Sequence, residues 1–397
     1  MLDSSTVVTR KLYYEDAYMR EFTSTVISVS GNDVVLDATV FFPEEGGQSP
    51  DRGQLAGIDV VDVQIKDGYI HHYLERPVTG ENAGFNLAEG MTVTGKIDWE
   101  YRFGNMQQHS GEHLFSGLVH KKYGYDNVGF HLSDNEVTMD FSGVIPPEGL
   151  KETEDAVNRA IWLNISSEVS FLEGEEAEKA EYRSKLELTE AVRVVRFPGF
   201  DACACCAPHV AKTGEIGCLK VVGAINYKGG TRVSILCGHR ALQLFVHDRD
   251  MLVRTANYLT TNTDDVYDSV NRLKAENSDL KAKLKQAGLE LMKMKVDLFA
   301  EGEGNAVMFE NEEADQTVIR EAVNSLMEKK SGYCGVFAGS DSEGYRFIIG
   351  KKGGDARIAS NILREKFGAR GGGKPVMVQG SVKATERALR DLFAEDL

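Results

Sequence analysis

His109 and His113 stand four residues apart in the string Met106-Gln107-Gln108-His109-Ser110-Gly111-Glu112-His113-Leu114. On a helix this spacing stacks two imidazoles on one face, where both can grip a single metal ion. Far downstream, Cys205 and His209 repeat the spacing within Cys205-Cys206-Ala207-Pro208-His209. Either pair alone is a weak signal. Together they make a four-ligand nitrogen and sulfur set, the combination zinc prefers. Cys206, three residues before His209, competes for the thiolate position, and Cys203 flanks the pattern. Gln108 and Glu112 sit next to the ligands and are candidates to contact water, although helical geometry turns at least one of them away from the metal.

The strings MQQHSGEHLF and CCAPHVAKTGEIG resemble the editing domain of alanyl-tRNA synthetases and of the free-standing editing proteins called AlaX. LYYEDAYMREF, near residue 12, resembles the opening of that family. The resemblance implies one zinc ion held by His109, His113, Cys205 and His209 beside the end of a mischarged tRNA. It further implies hydrolysis of the ester joining serine or glycine to alanine tRNA.

Phe41-Phe42-Pro43-Glu44-Glu45-Gly46-Gly47-Gln48, followed by Asp51-Arg52-Gly53, places paired glycines between strand-like runs. Such a pair allows a tight turn and close approach of a ligand. The string is similar to the glycine-rich loop that the family lays over its substrate, which makes Gly46, Gly47 and Gln48 expected substrate contacts. Family members often carry Ser or Thr just before the glycines, where this chain has Glu44 and Glu45. The segment around Val128-Gly129-Phe130-His131-Leu132 returns in the family as a strand near the pocket. His131 therefore joins Gln108 and Glu112 as a candidate catalytic residue, and Asp201 is placed to orient a ligand.

The elements that must position these groups follow from periodicity. Residues 24–42 alternate apolar and polar around a Gly-Asn-Asp turn, and further strand-like runs at 54–65, 69–74 and 91–97 suggest a small barrel. After Trp99 the pattern turns helical, and residues 107–123 carry the first ligand pair, with Leu114, Phe115, Leu118 and Val119 as the core face. A helix starts at Pro146-Pro147, an acidic helix-prone stretch covers 173–187, and 192–197, 218–227 and 231–236 read as strands. From Leu242 to Leu298 apolar residues step by three and four around the polar Asn262-Thr263-Asp264-Asp265 turn, which predicts an antiparallel coiled-coil hairpin with Asn277 on its seam. After an acidic joint at 301–315 the order reads helix, two strands, helix, Gly371-Gly372-Gly373-Lys374-Pro375, strand and helix. This tail resembles the DHHA1 domain at the C-terminus of alanyl-tRNA synthetases, where it contacts tRNA.

Composition sets the outer bounds. The 397 residues suffice for about two to four domains, and no run of about 18 apolar residues marks a membrane span. The first eighteen residues show no apolar signal-peptide core. Six cysteines, half of them at 203, 205 and 206, fit metal binding in a reducing compartment better than a disulfide framework. A net charge of −16 opposes nucleic-acid binding globally. Residues 345–390, however, are locally basic and hold Lys351, Lys352, Arg370 and Lys374 as expected tRNA contacts, since phosphate attraction acts locally.

The expectation is thus an α+β multidomain protein. It comprises an N-terminal small β-barrel (1–97), an α+β zinc-containing editing domain (98–237), a helical coiled-coil hairpin (238–300) and a C-terminal α/β DHHA1-like domain (301–397). It would be a zinc-dependent cytoplasmic aminoacyl-tRNA deacylase with tRNA as partner, dimerising through its coiled coil or tail. The alternative is a zinc-stabilised tRNA-binding protein without catalysis.

Overall fold

The computed structural model describes residues 8–79, 86–134, 137–184, 191–395 and 397. The first seven residues, and 185–187 of the expected acidic helix, lie outside them. The chain forms two compact units, Met1–Met251 and Leu252–Leu397.

In the first unit a short strand β1 (Arg10–Lys11) and a single helical turn α1 (Leu12–Glu15) lead into β2 (Glu21–Ser30) and β3 (Asp33–Leu36). The short β4 (Ala38–Thr39) lies parallel to β1. The glycine-bearing loop follows, and then β5 (Gly53–Leu55), β6 (Ile58–Lys66), β7 (Tyr69–Leu74) and β8 (Thr92–Ile97). Six of these strands close into a barrel in the order β2-β3-β7-β6-β5-β8. Strict alternation drives it: Phe22, Val26, Val34, Leu36, Leu55, Val60, Ile70, Leu74 and Val93 point into one buried core. The stretch 54–65, expected as one strand, is two. Ala56 and Gly57 both take positive φ (50° and 78°), which makes a two-residue hairpin turn between them.

Helix α2 (Trp99–Tyr123) begins where the pattern turns helical, eight residues before the stretch that carries the ligand pair. Asp98 caps it by accepting from the Tyr101 N–H, and Gly124 ends it in the left-handed region at φ 69°. Residues 105–117 are buried without a break, polar and apolar alike. Each polar side chain on such a stretch needs a partner from another element.

Two sheets supply those partners. β9 (Asn127–Leu132) and β10 (Val137–Phe141) precede helix α3 (Pro147–Trp162), which carries a proline in its first turn. β11 (Glu168–Leu172) and the short α4 (Gly174–Lys179) occupy the start of the acidic stretch; β12 (Val192–Phe197), β13 (Asp201–Ala204), β14 (Leu219–Tyr227) and β15 (Gly230–Cys237) follow. The sheet orders are β14-β15-β10-β9 and β11-β12-β13, antiparallel throughout. Leu114, Phe115 and Val119 of α2 pack against Met139, Phe141, Val195, Phe197, Val233 and Ile235 from these strands.

Helix α5 (Gly238–Tyr258) carries the chain across the unit boundary, and α6 (Val266–Asp297) belongs to the second unit. The heptad positions of α6 are largely open: Leu273, Leu280, Leu284 and Leu291 are 49 to 75% exposed. The stripe predicted as a hairpin seam is therefore not sealed within one chain. Beyond Ser269 near its start, α6 is embedded at its C-terminal end, where Leu289, Met292 and Val296 join the core built on α7 (Gln316–Lys329). The expected acidic joint contains a strand, β16 (Ala306–Glu310), parallel to β17 (Cys334–Ser340). β18 (Gly344–Gly350), α8 (Arg357–Phe367), β19 (Arg370–Lys374), β20 (Met377–Val382) and α9 (Glu386–Glu395) complete a five-stranded sheet ordered β16-β17-β18-β20-β19. The glycine triplet forms an edge strand, and Gly371 and Gly373 lie too close to the β20 backbone to leave room for a Cβ.

One buried ion pair ties the barrel to α2. Arg102, fully buried, donates from Nε to both Asp51 oxygens at 2.9 Å and from Nη2 to Asp51 and the Val40 carbonyl. Asp51 also accepts from the Phe42 N–H at 2.7 Å. Removing one partner leaves the other charge buried and uncompensated. Asp51→Asn should therefore destabilise the first unit by about 3–5 kcal/mol. Urea unfolding followed by tryptophan fluorescence checks this, because both tryptophans, Trp99 and Trp162, lie in that unit.

Candidate metal centre

His109 and His113 project from one face of α2, and Cys205 and His209 come from the loop after β13. One ligand-capable atom from each residue lies within 4.8 Å of the others. The Cys205 Sγ is 3.6 Å from His109 Nε2 and 3.3 Å from His209 Nε2. All three imidazoles are nearly inaccessible.

Each ring is held from behind at Nδ1 by a different part of the fold. His109 Nδ1 meets Gln48 Oε1 at 2.8 Å, bringing in the glycine loop. His209 Nδ1 meets Ser110 Oγ at 3.0 Å, bringing in α2 itself. His113 Nδ1 lies 3.2 Å from Asp201 Oδ2, off the line of an ideal hydrogen bond. Asp201 is in turn fixed by Arg183, whose Nε and Nη2 donate to its two oxygens at 2.7 and 2.8 Å. Outer partners of this kind set ring orientation in metal sites. They leave an Nε2 from each histidine for the cluster.

Electrostatics favours a thiolate at Cys205. Burial alone would raise its pKa, but the imidazoles of His109 and His209 overcome that and hold it well below the ordinary thiol value. Burial pushes Cys206 and Cys203 the other way, so both stay protonated. Cys206 also faces elsewhere: its Sγ lies 3.2 Å from where a Cβ on Gly46 would stand. Burial lowers His209 to about 3, which keeps it neutral. For His113 burial acts downward too, yet Asp201 and Cys205 raise it well above the usual histidine value. Three imidazoles and a thiolate fit a zinc-like ion, which would displace that proton.

The three candidate catalytic residues fall differently. Gln108 is saturated: its amide donates to the Cys237 carbonyl at 2.8 Å and accepts from the Cys237 N–H at 2.7 Å, clamping α2 to β15. His131 is exposed, because strand alternation turns the neighbouring Phe130 inward, its ring 4.7 Å from that of His109. Glu112 is buried; its Oε1 accepts from Ser116 Oγ at 2.5 Å and Asn127 Nδ2 at 2.6 Å, and Oε2 stands 3.9 Å from His113 Nε2.

The glycine loop is pinned at both ends. Gly46 and Gly47 are exposed at φ 64° and 85°, and the Gly47 carbonyl accepts from the Leu132 N–H at 2.7 Å. A Cβ on Gly47 would stand 2.4 Å from the Phe130 carbonyl oxygen, so only glycine lets the loop lie against β9. Gln48, fully buried behind it, reaches His109. That contact was invisible in the sequence, because its partners lie 61 residues apart.

In the second unit Arg370 and Lys374 are exposed at the two ends of β19. Lys351 is half-buried, its Nζ 3.9 Å from the Tyr333 ring centroid, and Lys352 is paired with Glu328 at 2.5 Å.

Known proteins resemble this chain in two stretches and over longer spans. Residues 192–234, which span Cys205 and His209, match the family described as threonyl and alanyl tRNA synthetase second additional domain. Residues 6–101, covering the barrel and glycine loop, match that described as tRNA synthetases class II (A). The alanyl-tRNA editing protein AlaX-L of Pyrococcus horikoshii is 26% identical over 98% of this chain and 98% of its own length. An alanine–tRNA ligase of Pyrococcus abyssi is 30% identical over 96% of this chain but 42% of the ligase. That of Ignicoccus hospitalis is 32% identical over 69% and 31%. The chain thus spans well under half the length of the ligases it matches.

The purified chain should bind one zinc equivalent. His113→Ala and Cys205→Ser should abolish binding, Gln48→Leu and Asp201→Asn should weaken it about 10- to 100-fold, and Cys206→Ser should leave it intact. With His113 protonated in the free protein, binding near neutral pH should release about one proton and weaken as pH falls. Calorimetry in buffers of different ionisation enthalpy, with competitive chelator titration, measures both.

Proposed function

From a chain related over nearly its whole length to an alanyl-tRNA editing protein, and in part to alanine–tRNA ligases, we propose a trans-editing hydrolase. It deacylates alanine tRNA carrying serine or glycine, working in the cytoplasm as a zinc-dependent enzyme. The observation that carries this reading is the Gln48–His109 hydrogen bond. It fastens an exposed, side-chain-free loop directly to the metal cluster, the arrangement needed to lay an RNA terminus beside it.

The reaction asks little of the protein. An aminoacyl ester is already activated; water adds to the carbonyl carbon, the acyl–oxygen bond breaks, and the 3′ hydroxyl leaves with a proton. Zinc, bound by His109, His113, Cys205 and His209, would supply Lewis acidity or a fixed anchor for the terminal ribose. The chain's own part is positional. Gly46 and Gly47 admit the backbone of the RNA end, Gln48 keeps the loop in register with the cluster, and the inward Phe130 closes one side against water. Glu112 is the carboxylate beside His113 Nε2, at 3.9 Å, and its partners Ser116 and Asn127 hold it still.

The second unit would hold the body of the tRNA. Arg370 and Lys374, exposed on an edge strand whose three intervening residues are glycines, present charge on backbone that a phosphate chain can approach closely. A second reading, a zinc-stabilised tRNA-binding protein without hydrolysis, is favoured by the four-residue donor set, which resembles closed structural sites.

Metal-loaded protein should release serine and glycine from mischarged alanine tRNA and spare the alanylated form. Gly47→Val should retain zinc but lose about 100-fold in rate, because the added side chain drives the loop off β9. Intact Ser- and Gly-charged tRNA after incubation with folded, zinc-replete protein would decide for the binding-only reading. The double change Arg370→Ala with Lys374→Ala should leave hydrolysis of a short acceptor hairpin unchanged. Full-length tRNA binding should weaken, with the slope of log K against log salt shallower by about 1–2.

A further inference from the structure

Glu44 and Glu45 occupy neighbouring positions but do different things. Glu44 is exposed and accepts from Gln64 Nε2 at 2.9 Å on the outside of the barrel. Glu45 is half-buried, and its Oε2 is enclosed without any hydrogen-bond donor. Nearby, the hydroxyl of Tyr13 is equally enclosed and unpartnered, in a side chain only 1% exposed. An orphaned buried polar atom costs about 1–3 kcal/mol, so two in one neighbourhood call for a reason.

The neighbourhood is the edge of the metal centre. Cys206, which follows the ligand Cys205, packs with Tyr13 and Tyr14 on the barrel core and places its sulfur against Gly46. The Tyr13 and Tyr14 rings meet edge to face at 4.8 Å, and Tyr13 packs likewise on Phe42 at the root of the loop. Burial pushes both phenols upward, with smaller contributions from Tyr14 or Cys206 and then Glu45, so they remain neutral hydroxyls. Arg193 stands over Tyr14 and spends its Nη1 on the Cys205 and Ala207 carbonyls at 2.7 and 2.9 Å, while its Nε is a further enclosed atom without a partner. Beside it at the loop edge stand a carboxylate oxygen and a phenol oxygen, framed by aromatic rings. Both oxygens can accept, and the rings favour a cation. An anion would meet the Glu45 charge, and an apolar group would leave both oxygens unpaired.

We propose that Glu45 and Tyr13 form a subsite for the α-ammonium group of the aminoacyl ester, so that this centre takes free-amine aminoacyl esters and passes over N-acylated ones. The inference rests on the hydrolase reading and names its substrate class. The α-nitrogen is bonded to the carbon next to the scissile carbonyl, so its subsite must border the reacting position. Cys206, between the Gly46 loop and the ligand Cys205, marks that border. Peptidyl and formylated esters, lacking the ammonium charge, leave Glu45 desolvated and unpaired.

The test uses the full metal-loaded chain and a short acceptor-stem hairpin ending in a non-hydrolysable 3′-serylamide, with either a free or an acetylated amine. Calorimetry should show the wild type binding the free-amine form at least roughly tenfold more tightly, the scale of a charge-assisted contact. Glu45→Gln should lose that preference at unchanged zinc content, Tyr13→Phe should lose part of it, and Glu44→Gln should keep it. Equal binding of both analogues by the wild type, failure of the free-amine analogue to bind, or a preference that survives in Glu45→Gln would overturn the subsite. Hydrolysis separates the two readings. A wild type that selects the free amine but cleaves no Ser-tRNA defeats the hydrolase and leaves the subsite. One that cleaves Ser-tRNA and N-acetyl-Ser-tRNA at the same rate defeats the subsite and leaves the hydrolase.

Discussion

The bond between Arg102 and Asp51 carries the geometry of the first unit. A guanidinium with no access to water is costly to bury, and here its charge is met by both carboxylate oxygens and by the carbonyls of Ala17 and Val40. Those partners all come from the strand-and-loop segment, and the guanidinium comes from the long helix. Because Asp51 also receives the Phe42 N–H, the root of the glycine loop is fixed to the same helix that presents His109 and His113. Gln48 then needs to span only the short remaining gap. The loop and the metal ligands share one rigid reference, seven residues upstream of the first ligand on α2.

Around that reference, polar burial is organised by role. The amides of Gln107 and Gln108 are consumed in joining α2 to backbone near β15. The Nδ1 positions of three histidines are shared among loop, helix and strand. Among the buried atoms left unpaired, those of Tyr13 and Glu45 sit at the edge of the loop. A helix that is buried all round, rather than on one face, makes such an arrangement possible. Each of its turns meets a different neighbour.

How much of this was legible in the sequence depended on distance along the chain. The ligand pairs could be read because their spacing of four is local, and the barrel because alternation is local too. The change from strand to helix after Trp99 was legible too, as a local change of pattern. Gln48, Ser110 and Arg183 were not legible as supports, because each acts across 18 to 99 residues of chain. The Gly371-Gly372-Gly373 run carried no strand signal, because glycine disfavours strands. Its pairing with β20 is set by close backbone contact rather than by side chains. The heptad rhythm of α6 was real, but periodicity names a face without saying what covers it. Leu280 and Leu284 stand exposed, while Met292 and Val296, on the same helix, are core.

The ligand set also has a topological meaning. His109 and Cys205 are separated by 96 positions. An ion joining them closes a loop containing β9 to β13, and with them α3 and the acidic stretch. On the chain-entropy scale applied to disulfides, closing a loop of that length is worth roughly 4–5 kcal/mol. The cluster is therefore a clasp as well as a centre. It gathers a long excursion of chain and sets its two ends side by side, restricting the unfolded chain as much as it orders the folded one.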